Sequence, residues 1–149
     1  MLENDLLEAL NEIPILDVHS HLVGGKLGAR GLHDVLLYHM AVSELYAAGC
    51  PSGARLTQYP GWPSVAEAQA RIEEALPYLP RVRNTSISWG VRGILKDLYG
   101  VDAPITAENW RAVDAQIRER ADDRAWHREI FRRAGIVKGC TEIARREAG

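Results

Sequence analysis

Asp17-Val18-His19-Ser20-His21 sets a carboxylate and two imidazoles at two-residue intervals, directly after the apolar run Ile13-Pro14-Ile15-Leu16. An apolar run entered through a proline and left toward Gly24-Gly25 reads as a short buried strand, and a strand repeats every two residues. Asp17, His19 and His21 are therefore expected on one face. Residues two apart rise by about 6.6 Å, which lets two ring nitrogens reach one divalent ion at about 2.0–2.1 Å. His19 and His21 are the candidate metal ligands. Paired histidines also serve as structural residues, but two titratable groups closing an apolar run are costly to bury unless something pairs with them. Asp17 is a candidate for a catalytic role, or for orienting a ligand from behind.

The elements that would position this strand end can be read from periodicity. Leu2, Leu6, Leu7 and Leu10 fall at helical spacing, so residues 2–11 form a short amphipathic helix leading into the strand. The glycine-rich stretch 23–31 lacks the spacing of a phosphate cradle and reads as a loop over the site. A helix is expected from Leu32 to about Ala48, with Leu32, Val35, Leu36, Met40 and Leu45 as its apolar stripe and Gly49 as its stop. Residues 50–63 are an irregular connection rich in proline and glycine. Ser64-Val65-Ala66-Glu67 is a capping box opening a helix that bends at Pro77 and ends before Pro80. Further helices run over 86–99, from the Thr106-Ala107-Glu108 start through Trp110, Val113 and Ile117, and over 124–134. Residues 136–141 read as a second strand, and 142–148 as the start of another helix.

Two strands separated by roughly 115 residues of helix cannot bury both faces of a sheet by themselves. The organisation expected is α/β: the N-terminal portion of a metal-dependent (β/α)₈ TIM barrel, with a mostly α-helical insert between barrel strands 1 and 2. Residues 1–30 would hold the first helix, strand 1 and the site loop, residues 31–134 the insert, and residues 135–149 strand 2 and the next helix.

Composition narrows the partners. The chain has 149 residues, 46% of them apolar, and a formal charge of −2 with acids and bases interspersed, which disfavours nucleic acid. It has no apolar run of membrane-spanning length, and its start is acidic where a secretory leader is basic, so a cytoplasmic location without membrane attachment is expected. Cys50 and Cys140 form neither a disulfide framework nor a Cys-x-x-Cys site, in keeping with a reducing compartment.

Pro14-x-x-Asp17-x-His19-x-His21-Leu22 resembles the first-strand signature of the uronate isomerases (glucuronate isomerase type) of the amidohydrolase superfamily. The likeness continues through a histidine-led helix from His39 to Ala47-Ala48-Gly49, Arg83-Asn84 followed by Trp89, the Glu108-Asn109 helix, and Cys140-Thr141. It implies a divalent metal, zinc, on His19 and His21, and a small-molecule substrate such as a carboxylate-bearing sugar acid undergoing aldose–ketose isomerisation. The chain departs from the family where Ala41, Val42 and Ser43 replace a Lys-Trp-Arg run whose Arg helps hold the substrate carboxylate, and where Ser88 and Val91 replace aromatic and histidine residues. Two alternatives therefore stay open: a metal-dependent hydrolase of an amide, ester or lactone, and an inactive barrel fragment that acts only by association. The open strand edges would allow a homo-oligomer.

Among single residues, His39 opens a helix just after the site loop and is a candidate acid or base. Arg83 could bind a carboxylate bidentately, and Glu142, at the end of the second strand, sits at the level where barrels place catalytic groups. His33 and His127 are expected to be solvated. The four tryptophans, Trp62, Trp89, Trp110 and Trp126, are expected in packing roles.

Overall fold

The computed structural model describes residues 2–20, 28–51 and 64–141. They divide into two compact units: one is built from the residues up to Gly28 together with those from Asp122 onward, the other from residues 29–121.

The first unit holds helix α1 (Leu2–Asn11), strand β1 (Ile15–Ser20), helix α8 (Arg124–Arg133) and strand β2 (Ile136–Thr141). The two strands pair in parallel, with Ile15 opposite Ile136, Asp17 opposite Gly139 and Ser20 opposite Thr141. Asp123 caps α8 by accepting the Ala125 N–H at 2.8 Å. At the other end Gly135, at φ 67°, turns the chain into β2, and its carbonyl accepts the Ile15 N–H at 2.8 Å. Helix α8 packs on β2, where Gly139 leaves room for the Phe131 ring: a Cβ there would lie 3.3 Å from Phe131 Cζ. Trp126 is buried in this unit under the Arg133 guanidinium.

The strand reading needs one correction. A buried strand was expected, yet Ile15, Leu16, Val137 and the four leucines of α1 are exposed, and Val18 is 72% exposed. A parallel pair has two faces to cover, and apolar runs of this kind belong to strands packed on both sides. Among the described residues α8 is the helix with extensive packing on the pair.

The second unit is helical: α2 (Leu32–Leu36), α3 (His39–Ala47), α4 (Val65–Ala75), a 3₁₀ turn (Leu76–Tyr78), α5 (Leu79–Val82), α6 (Ser86–Tyr99) and α7 (Trp110–Arg118). Its core is formed where α2 meets α4, α6 and α7, and where α3 meets α5 and α6. Leu32, Leu37, Val42, Ile72 and Ile117 are wholly inaccessible there, and burying each such side chain contributes about 1.5–3 kcal/mol.

Local chemistry sets most of the helix ends. The Ser64–Glu67 capping box forms in both directions, with the Glu67 N–H donating to Ser64 Oγ at 3.2 Å and the Ser64 N–H to Glu67 Oε2 at 2.7 Å. Gly49, at φ 94°, closes α3: the Cys50 N–H bonds to the Leu45 carbonyl and the Gly49 N–H to the Tyr46 carbonyl. The single helix expected over 32–48 is instead two. Tyr38 is extended at φ −57° and ψ 141°, and the break takes both Leu36 and Leu37 inside, which adjacent positions on one amphipathic helix do poorly, while Met40 is left exposed. Pro80 falls within the first turn of α5 rather than past a helix end, a position that needs no amide hydrogen. Trp110 is buried as expected, whereas Trp89 is 72% exposed; Trp62 lies outside the described residues. Among the described residues no helix is long and apolar enough to cross a membrane.

Candidate functional site

Asp17 and His19 both lie on β1, Asp17 half-buried and His19 exposed toward the strand's C-terminal end. Asp17 Oδ1 accepts the backbone N–H of His19 at 3.1 Å, and Ser20 Oγ donates to the Cys140 carbonyl of β2 at 2.8 Å. Side-chain bonds thus tie the chemistry-bearing end of β1 both to itself and to its neighbour. The pairing register adds a feature that a strict two-residue repeat does not contain. Asp17 to Ser20 spans three steps while Gly139 to Thr141 spans two, so β1 carries one extra residue there. Irregularities of this kind can re-aim the side chains that follow them, so simple alternation alone does not fix the faces of Asp17 and His19 here.

His21 and Glu142 lie outside the described residues. His39 opens α3 in the second unit, and Arg83 follows α5 there, exposed. In donor type, Asp17 and His19 fit a divalent ion, one carboxylate oxygen and one imidazole nitrogen. Among the described residues no three side chains of His, Cys, Asp or Glu come together to hold one.

A different group of polar residues, in the second unit, escaped the sequence reading. Asp114 of α7 is 0% exposed and accepts three hydrogen bonds: from the Leu32 N–H at 2.9 Å, Gln69 Nε2 at 3.0 Å and Arg118 Nε at 2.7 Å. Burial alone would raise its carboxyl, but these bonds and the Arg118 charge outweigh it and hold the group below the usual carboxylate range. Next to it Arg30 grips Asp34 through two side-chain bonds, 2.8 and 2.6 Å, and through its own N–H. Asp34 too is lowered, burial working against the Arg30 bonds. Gly31 is squeezed between the pairs: a Cβ there would lie 2.8 Å from Arg118 Nη2 and from Asp114 Oδ1.

His33 sits in this cluster and is buried, not solvated as expected. Its Nε2 is 3.3 Å from Asp34 Oδ1, yet among the described residues neither ring nitrogen has an aligned hydrogen-bond partner. Burial lowers its pKa, Asp34 opposing the effect and Arg30 and Arg118 adding to it, so the charged imidazolium is disfavoured. His127 is likewise buried, in the first unit, where a Cβ at Gly28 would lie 2.9 Å from its Nε2. His127 thus stands beside a glycine that admits close approach, a signal that can be weighed only once it is known which elements meet. No family model matches the chain, and comparison with curated proteins finds no match.

Proposed function

We propose that this chain supplies the first metal-binding strand of an amidohydrolase-type barrel enzyme resembling the uronate isomerases, acting on a small carboxylate-bearing sugar or related acid. The observation that carries the reading is the parallel pairing of β1 and β2 across a long helical crossover, with Asp17-x-His19-x-His21 at the C-terminal end of β1. Active groups in (β/α)₈ barrels come from that end of the strands. His19 and His21 would hold the ion, zinc in this reading, and Asp17, through its bond to the His19 N–H, would fix the strand end beneath them. A bound divalent ion supplies Lewis-acid polarisation of a substrate oxygen or acidification of a water. His39 remains the candidate acid or base, and Arg83 and Glu142 the candidate substrate contacts. A cytoplasmic location belongs to the same proposal, resting on the two unpaired cysteines.

Incubating the protein that carries this chain with divalent metal and a panel of sugar acids, amides and lactones tests the reading. Metal-dependent interconversion of an aldose and a ketose acid supports the isomerase, turnover of amides or lactones moves the assignment to a hydrolase, and no metal-dependent turnover of either group overturns the enzyme reading.

A second reading draws support from the exposed apolar residues of α1, β1 and β2. In it the chain works by association, its open strand edges pairing with further barrel strands or with a second copy. Sedimentation distinguishes the two: a monomer with one cooperative thermal transition argues against association.

A further inference from the structure

The helical unit has, among its described residues, a cavity of about 400 Å³. Its lining includes Leu45 of α3, Val82 of α5, Val91 and Leu95 of α6, and Ile105 from the segment after α6. Leu36, Leu45, Val82 and Leu95 of its lining are themselves buried, so the hollow is bounded by well-packed apolar side chains. Its size and lining are those of small-molecule sites, which are mostly apolar with a few polar groups to orient the ligand.

Four charged residues line it: Glu44, Asp102, Arg83 and Arg92. The carboxylates are engaged already. Glu44 Oε2 accepts the Thr85 hydroxyl at 2.5 Å, and Asp102 faces Lys96 Nζ at 3.3 Å. Arg83 and Arg92 are exposed, and among the described residues no carboxylate pairs with either. Glu44 keeps its charge through the Thr85 bond, so Arg83, Arg92 and Lys96 set against Glu44 and Asp102 leave one positive charge around the cavity, carried as guanidinium, the group that binds carboxylates in two-point fashion.

We propose that this cavity is a binding site for an amphipathic monocarboxylate, whose apolar body fills the hollow and whose head lies between Arg83 and Arg92. The site is built wholly from residues of the helical unit and needs no metal, so its binding can be measured apart from the reaction proposed for the strand end, although Arg83 is a candidate contact in both.

Titration of this chain, free of metal, with octanoate, octylammonium and octanol tests it. Octanoate should bind saturably at one site per chain and at least about tenfold tighter than octylammonium, with octanol between them. The double substitution Arg83→Gln, Arg92→Gln should weaken octanoate about tenfold and leave octanol unchanged. Both arginines are exposed, so circular dichroism should not move. Val91→Trp, which fills the hollow from a half-buried position, should abolish binding of both ligands. Absence of saturable octanoate binding, equal or tighter binding of octylammonium, or full octanoate affinity in either variant overturns the proposal. Because no metal enters the titration, failure here would bear on Arg83 as a carboxylate contact and leave the metal role of His19 and His21 untouched, while a failed turnover assay would leave the cavity proposal standing.

Discussion

Asp114→Ala should be the most damaging single substitution in the helical unit. The side chain is wholly buried and its three donors come from three places: the first turn of α2, Gln69 of α4, and Arg118 one turn on in α7. Removing it strands the Leu32 N–H, in a residue of zero exposure, at about 1–3 kcal/mol. It also leaves Arg118 without its counterion. Breaking a buried pair costs about 3–5 kcal/mol, but the Arg118 side chain is 23% exposed and can recover part of its hydration. The expected loss is therefore at the low end, about 3 kcal/mol, or a fall in Tm of roughly 10 °C or more for a unit this size. Urea denaturation followed by far-ultraviolet circular dichroism measures it. Asp114→Asn keeps the volume and one acceptor for the Leu32 N–H, so it should cost less, about 2 kcal/mol. Arg118→Met should hurt less in the Asp114→Ala background than alone, by at least about 1 kcal/mol of coupling. A loss under about 1 kcal/mol for Asp114→Ala, or additivity within about 0.5 kcal/mol, would refute the claim that these groups act as one network.

The pH dependence follows from the same cluster. The folded-state pKa of His33 lies below its ordinary value of 6.5, so between the two the unfolded chain holds the proton and the folded one does not; stability should fall as pH drops below about 6.5, and His33→Phe should flatten that limb of a stability–pH curve. Asp34 and Asp114 are depressed from 3.8, which places their loss of stabilisation in a second step, below about pH 4. Gly31→Ala drives a methyl against two ion-paired groups that hold each other in place, and equilibrium unfolding should register about 1–3 kcal/mol of overpacking. At the strand end, replacing His19 and His21 together by Ala should remove metal from the protein while circular dichroism stays nearly constant, since His19 is exposed; full metal content in that variant, measured by elemental analysis, would remove the basis of the proposed function. Ser64→Ala should cost about 1 kcal/mol, the worth of an N-cap, in thermal melts.

What could be read from the sequence is what neighbours in the chain decide. Ser64 and Glu67 are three residues apart, and Gly49, Gly100 and Gly135 each supply the positive φ that their own helix ends require, so these boundaries follow from local chemistry. The Leu37–Tyr38 break is invisible to a helical stripe because it is set by what Leu37 packs against. Asp114 and Leu32 are 82 residues apart, and a carboxylate in an amphipathic helix looks solvated until the partner helix is known. The burial of His33 depends on the same distant partners. At the candidate site, Asp17 and His19 do lie on the strand read from Ile13 to Leu22, but the bulge after Asp17 depends on the register with β2, which no one-strand pattern encodes. The exposure of Val18 and Trp89 makes the converse point: an apolar residue signals the capacity to be covered rather than the presence of a cover.

The parallel pair β1 and β2 also bears on the order in which the chain folds. Its strands stand roughly 115 residues apart in sequence, and joining the ends of a flexible loop of that length costs about 4 kcal/mol of chain entropy, by a logarithmic law. If the intervening helices are already folded, the contour between Ser20 and Ile136 is no longer a random coil and much of that cost disappears. Six strand residues on each side offer little to offset it otherwise. Strand pairing should thus trail helix formation, and agents that unfold the helical unit should unzip the sheet with it even though the two share no strand.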